Sequence, residues 1–399
     1  MAAPRTHTTV ALLTGRPRIQ TQWVWGPHER RRWLLFAVKL GTFLSLPWIT
    51  VGGTPALWFD IPHRRYHVFG HVFWPQDFYM LGLVLAVAAM LVFTTTALVG
   101  RVFCGHACPH TLFWNLFAAL EHLIEGDRPA RLALDAGQAG WPARARRVGK
   151  HAAWLSVAGV LGLTFVSYFL GVEALLHRLT TLTLTGPPLV TGALVAGLVY
   201  LFAGHLRDFI CTTTCPYGRF QGAMQDRSSL VVTYDALRGE PRGKGKQQVA
   251  RGGCVDCGQC VTVCPVGIDI RNGPQYECTT CARCIDACDQ TMAKLHAQPG
   301  LIRFASAREW AAHVAEPRRA WPPALVHRYW RPRLAWYGVV LVALLGTITT
   351  LVLTRPLLGL AVTRDRATVI RLADGRAANL YHLKLLNKDT RPHTLTLEL

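Results

Sequence analysis

The stretches CVDCGQCVTVCP (residues 254–265) and CTTCARCIDACD (278–289) place eight cysteines in two runs of one spacing, C-x-x-C-x-x-C-x-x-x-C. At that spacing a short loop wraps three thiolates around one cube of iron and sulfide, and the fourth reaches the neighbouring cube. The crossover assigns Cys254, Cys257, Cys260 and Cys288 to one [4Fe-4S] cluster and Cys278, Cys281, Cys284 and Cys264 to the second. Structural zinc also uses C-x-x-C pairs, but it has no use for two runs of identical internal spacing. Two neighbouring clusters suit the passage of electrons one at a time.

Pro265 follows the first run, as in bacterial ferredoxins, whereas Asp289 stands after the second and removes no ligand. Residues 230–310 therefore read as an α+β ferredoxin-like domain with two clusters. Outside it, the chain of 399 residues is 51% hydrophobic with positive mean hydropathy. Five windows approach the ~20 apolar residues that cross a bilayer core: Trp33 to Val51, Phe78 to Val99, Ala152 to Val172, Leu189 to Leu206 and Ala335 to Thr354. Lys39 is the one basic residue well inside them.

The formal charge of +20 flanks these windows instead of gathering on a soluble face, which argues against nucleic acid as a partner and for the positive-inside rule. Arg101, Arg128, Arg131, Arg144, Arg146, Arg147 and Lys150 lie between the second and third windows, while Gly52 to Asp77 holds only Arg64 and Arg65. The N-terminus and both long basic segments are expected in the cytoplasm, and the tail from Arg355 in the periplasm of a Gram-negative host. The Arg30 to Arg32 run suits a retained first helix, not a cleaved signal. The expected order is a cytoplasmic segment (1–32), a four-helix transmembrane redox domain (33–229), the ferredoxin-like domain (230–310), a basic juxtamembrane linker (311–334), a fifth transmembrane helix (335–354) and a periplasmic segment (355–399). The protein is thus expected to be an α-helical polytopic protein of the bacterial inner membrane.

All twelve cysteines fall at or near the cytoplasmic face, where structural disulfides are not expected. The four outside the ferredoxin runs form a repeat: FCGHACP (103–109) with Phe113 is echoed by ICTTTCP (210–216) with Phe220. Two helical hairpins then read as parallel repeats about an axis along the membrane normal. Proline after the second cysteine opposes an unbroken helix and prefers the first position of a new one. Cys108 and Cys215 are so expected at helix N-termini, where the dipole favours a thiolate. Either Cys104, Cys108, Cys211 and Cys215 converge on a further metal centre, copper or iron–sulfur, or they form two separate thiol pairs. His63, His67, His71, His151, His177 and His205 lie near window ends, as metal ligands or as solvated side chains.

Taken together, these motifs resemble the cytochrome c oxidase accessory protein family, the CcoG/FixG/RdxA group. The matching stretches are FG (69–70), WPQDFY (74–79), GRVFCG (100–105), LIEGDR (123–128), CPY (215–217), RFQ (219–221), GEPRG (239–243), GIDIRNG (267–273) and QYEC (275–278), within residues 33 to about 305. The resemblance implies a membrane-bound cupric reductase that converts Cu(II) to Cu(I) for a cbb-type oxidase, with copper chaperones or oxidase assembly factors as partners. It places the family's membrane cysteine pairs on Cys104, Cys108, Cys211 and Cys215, and its cluster ligands on the eight above. It also implies a periplasmic immunoglobulin-like sandwich. Here only Val369 to Leu372, Tyr381 to Leu386 and Thr394 to Leu399 read as strands, around the turn at Asp374 and Gly375, so a short, incomplete Ig-like segment is expected.

No Gly-rich dinucleotide loop and no flavin signature is visible, so an external one-electron donor is required: a ferredoxin, flavodoxin or flavoprotein. Arg238, Arg242, Lys244, Lys246 and Arg251 read either as a docking face for an acidic donor or as an anchor on anionic lipid. Two other functions fit the same motifs, a quinol-linked polyferredoxin conduit and a non-catalytic assembly or copper-binding factor.

Overall fold

The computed structural model describes residues 19–136, 140–250, 252–315, 331–355, 358–364, 370–371, 377–378, 381–387, 394 and 396. Four helices are long and apolar enough to cross a bilayer by length and composition: Pro75–Val99, Trp141–Leu170, Pro187–His205 and Pro332–Leu353. They correspond to the last four apolar windows. The first window is helical over Pro27–Ser45 but does not qualify, because its first turns carry Glu29 and Arg30 to Arg32. Pro47 then diverts the chain through Leu46–Trp48 into a short strand at Thr50–Val51. The third window starts earlier than its apolar residues suggest, since Arg144, Arg146, Arg147 and Lys150 are good helix formers. It ends before Gly171, whose φ of 84° and amide bond to the Ser167 carbonyl close the helix.

Contacts divide the chain into two compact units. The first comprises Met1–Leu40, Val92–Val160 and Val195–Leu334. Within it, the ferredoxin-like segment pairs strand Val231–Tyr234 antiparallel with Ile302–Ala305, from Val231 opposite Ala305 to Tyr234 opposite Ile302. Helix Arg283–Lys294 packs beside this ribbon, and the core gathers Val232, Tyr234, Ile270, Ile285, Met292, Leu301 and Ile302 with Cys254, Cys260 and Cys288. Trp114 and Ala118, on helix Pro109–Glu125, pack with Cys264, Val266 and Ile268. That seats the helix following the first membrane motif on the ferredoxin-like segment.

Buried charges complete this unit. Glu29 binds Arg32 at 2.8 Å and Arg283 at 2.9 Å, and both guanidinium groups also reach Asn115 Oδ1. Burial pushes the Glu29 carboxyl up, but Arg283 and Arg32 pull it further down, to below the ordinary range. The Asp286 carboxylate accepts from the backbone amides of His28 and Glu29 at the start of the Pro27–Ser45 helix. A second buried set joins Glu121 to Arg207 at 2.5 Å and Arg131 at 3.5 Å. Beneath it Trp154 is fully buried with Phe117, Ala158 and Ala203.

The second unit comprises Gly41–Leu91, Leu161–Leu194 and Ala335–Leu399. A three-stranded antiparallel sheet of Leu57–Asp60, Arg65–Val68 and His71–Phe73 is tied to the Trp141–Leu170 helix by Trp58 Nε1, which donates to the Phe169 carbonyl. Arg355 binds Asp77 at 2.6 Å and lies over the Phe73 ring. Strands Leu358–Arg364 and Tyr381–Asn387 pair antiparallel, and Ile370–Arg371 pairs with Ala377–Ala378. The Tyr381 strand and the centre of the Val369 strand match the sequence expectation, while Leu358–Arg364 is additional. The Asp374 and Gly375 turn and nearly all of Thr394 to Leu399 lie outside the described residues.

Candidate iron–sulfur and membrane cysteine sites

The eight cysteines of the two runs line two cavities. Cys254, Cys257, Cys260 and Cys288 wall the first, with Tyr234, Arg271 and Met292. Cys264, Cys278, Cys281 and Cys284 wall the second, with Cys260 and Arg283 also touching it. These are the sets that the spacing crossover pairs, because Cys288 on helix Arg283–Lys294 reaches back to the first loop.

The two loops share a backbone. Asp256 and Gly258 flank Cys257 with φ of 53° and 68°, and Thr280 and Ala282 flank Cys281 with φ of 55° and 61°. Such left-handed residues fold successive amides into a nest that holds anionic groups, iron–sulfur sites among them. The thiols suit that role. Burial pushes Cys260 and Cys278 up to about 11, and Cys264 and Cys288 up to about 12. Thiolates in such dry surroundings need a compensating cation, which iron supplies. Among the described residues no three His, Cys, Asp or Glu side chains gather closely enough for a single metal ion.

The membrane motifs also match one another in backbone. Cys104 sits in the wide turn Phe103–Ala107 and Cys211 in Ile210–Thr214. Each turn closes through a bond to the residue five back: the Cys108 amide donates to Phe103 O at 2.8 Å, and the Cys215 amide to Ile210 O at 2.9 Å. Cys108 and Cys215 then turn extended and cap the helices Pro109–Glu125 and Pro216–Met224, as the prolines require. The structure sets the two pairs near enough to feel one another's charge, without three of the four gathering closely enough for a single metal ion. Burial raises Cys104 to about 11 and Cys211 to about 12, and charge on the other membrane cysteines adds to both.

Arg101, read in sequence as a topological charge within a family-matching stretch, lies beside Cys104 in this arrangement. It is 3% exposed, donates to the Tyr276 carbonyl at 2.8 Å, lies over the Tyr276 ring, and draws the Cys104 pKa down against burial. The histidines are dispersed. His67 stacks on Trp58, His63 pairs with Asp60, and His71 meets the Phe69 carbonyl. His151 and His205 stack with ring centres 5.8 Å apart, and His151 meets the Tyr200 hydroxyl. Of the basic stretch, Arg238 and Arg242 bind their own segment, Lys244 and Lys246 are exposed, and Arg251 lies outside the described residues.

Comparison with known proteins bears on the same residues. A 4Fe-4S dicluster domain matches residues 206–307, a 4Fe-4S binding domain matches 81–125, and the IG-like fold at the C-terminal of FixG matches 348–399. The nitrogen fixation protein FixG of Rhizobium meliloti (strain 1021) is 38% identical over 93% of this chain and 77% of its own length. Protein RdxA of Cereibacter sphaeroides is 37% identical over 91% and 78%, and protein RdxB of that organism 34% identical over 97% and 83%. The chain belongs to the FixG/RdxA family. It is accordingly a membrane protein with iron–sulfur domains of the electron-transfer kind. The 4Fe-4S binding match over 81–125 takes in Cys104 and Cys108. No solved structure matches the chain.

Proposed function

We propose that this FixG/RdxA chain is a membrane reductase that draws single electrons from a soluble cytoplasmic donor and delivers them to Cu(II). The observation that carries the proposal is the union, in one compact unit, of two four-cysteine cavities with four further cysteines in two matching turns at the ends of apolar helices. Two [4Fe-4S] clusters, held by Cys254, Cys257, Cys260 and Cys288 and by Cys264, Cys278, Cys281 and Cys284, supply one-electron storage when bound. Cys104, Cys108, Cys211 and Cys215 offer copper soft sulfur ligands, which favour Cu(I). The balance is one electron lost by the donor and one gained by Cu(II), with no bond made or broken. Cu(I) then passes to chaperones or assembly factors of a cbb-type oxidase.

Topology supports five crossings with the ferredoxin-like segment in the cytoplasm of the inner-membrane host. Gln22 bonds to Thr262 and Val24 packs on Val263, while the turn holding Cys104 also belongs to that side. Helix Phe78–Val99 crosses once between them, so Pro27–Ser45 is the helix available for the first crossing. The tail then lies in the periplasm as an Ig-like segment.

Cys104→Ala and Cys215→Ala test the role of the membrane cysteines. Each is expected to retain the iron and the reduced-cluster paramagnetic resonance of the purified protein while losing Cu(II) reduction. Unchanged Cu(II) reduction would remove these cysteines from the path, and reduction of the clusters by quinol would favour the conduit function instead.

A further inference from the structure

The two membrane motifs have the same backbone but different middles, Gly105-His-Ala in one and Thr212-Thr-Thr in the other. A Cβ added at Gly105 would lie 2.7 Å from the Thr279 carbonyl oxygen and 3.1 to 3.2 Å from Cys281 Cα and N. Backbone cannot yield as a flexible side chain can. Gly105 is therefore in direct contact with the loop that carries Cys278 and Cys281, and only the absence of a side chain permits it. Thr212 holds the equivalent place in the second motif, where its hydroxyl bonds back to the Asp208 carbonyl and Thr213 is exposed.

Other contacts gather on the same face. Arg101, just before the first motif, bonds to the Tyr276 carbonyl near the start of that loop. Cys211 and Cys278 both pack against the apolar group that contains Cys264. The first cavity has different neighbours. Cys257 is the exposed cysteine among the described residues. The Gly243 amide donates to the Cys254 carbonyl, and the exposed Lys244 and Lys246 follow directly in the chain.

We infer that Gly105 is the port through which the membrane motif meets the ferredoxin-like segment, so that Cys264, Cys278, Cys281 and Cys284 stand at the acceptor end and Cys254, Cys257, Cys260 and Cys288 at the donor end. The inference rests on the proposed cluster ligands and gives the module a direction. The donor is a soluble acidic one-electron carrier of the reduced ferredoxin or flavodoxin class, drawn to Lys244 and Lys246. It loses one electron, and Cu(II) at the membrane cysteines gains one.

The test uses the full-length, iron-loaded protein in detergent or nanodiscs. Gly105→Ala is expected to alter the paramagnetic resonance of one reduced cluster, and to do so also in a Cys257→Ser background that marks the other. It should slow reoxidation of the pre-reduced protein by Cu(II), with reduction by an acidic ferredoxin unchanged. Lys244→Glu with Lys246→Glu should slow only that reduction. Thr212→Val should leave both rates and the spectrum as they are. If Gly105→Ala fails to assemble, Arg101→Gln, which removes the bond to the Tyr276 carbonyl without adding bulk, should produce the same division.

An unaltered spectrum for Gly105→Ala or Arg101→Gln, or a change confined to the cluster marked by Cys257→Ser, overturns the inference. If wild-type protein is not reoxidised by Cu(II) at all, the copper substrate is wrong, and the spectra still decide which cysteine set faces Gly105.

Discussion

The segments Phe103–Pro109 and Ile210–Pro216 start from one pattern and end in different surroundings. Both form a wide turn, both place the second cysteine as a helix cap, and both begin a helix at proline. The first is then enclosed: Gly105 abuts the Thr279–Cys281 backbone, and Asn115, two turns into the following helix, shares the buried Glu29, Arg32 and Arg283 group. The second is open, with Thr213, Thr214 and Phe220 exposed. A repeated sequence thus repeats its local geometry, while side-chain size and buried charge decide which copy the ferredoxin-like segment grips.

The largest expected loss comes from cutting that grip. Arg283→Ala leaves Glu29 buried beside one fewer cation and should cost about 3–5 kcal/mol, seen as a lowered melting temperature of the purified protein. Replacing both Glu29 and Arg283 by apolar residues of similar volume should recover much of the loss; if it does not, packing and not charge holds the first motif. Arg101→Ala, at the hinge between Cys104 and Tyr276, should cost about 2–3 kcal/mol, the worth of a buried hydrogen bond from a charged donor and its packing.

Smaller changes sharpen the contrast. Tyr217→Phe, on the helix after the second motif, removes the 2.6 Å bond between its hydroxyl and Thr96 and should cost about 1 kcal/mol. Gly258→Ala should cost about 1 kcal/mol as well, since Ala282 already accepts the same left-handed conformation at the matching place. Arg219→Ala, whose exposed guanidinium donates to the Thr213 carbonyl, should move stability by less than about 0.5 kcal/mol. Equal losses for Arg101→Ala and Arg219→Ala would erase the distinction between an enclosed and an open motif.

Much of the site was legible because it is local. Cysteine spacing predicts which thiols share a cavity, as the short loops leave the fourth thiol of each run no nearer place to go. Proline after Cys108 and Cys215 opposes a continuous helix whatever surrounds it, through its missing N–H and its clash with the carbonyl four residues back. Apolar length marked the last four spans; at the start of Pro27–Ser45, Glu29 and Arg32 count as surface charges in sequence and are buried together in the structure. Strand Leu358–Arg364 was missed because its partner, Tyr381–Asn387, is distant in the chain.

What residue type and spacing determine by themselves are the membrane helices, the grouping of the cysteines into runs and pairs, and the helix starts at Pro109 and Pro216, since each rests on covalent reach, backbone sterics or hydropathy. Tertiary structure alone decided that Gly105 touches the Cys281 loop, that Arg101 spans Cys104 and Tyr276, and that Glu29 closes on Arg283. These contacts join residues far apart in the chain, and the same side chains would serve as ordinary turn or surface residues wherever the packing did not bring them together.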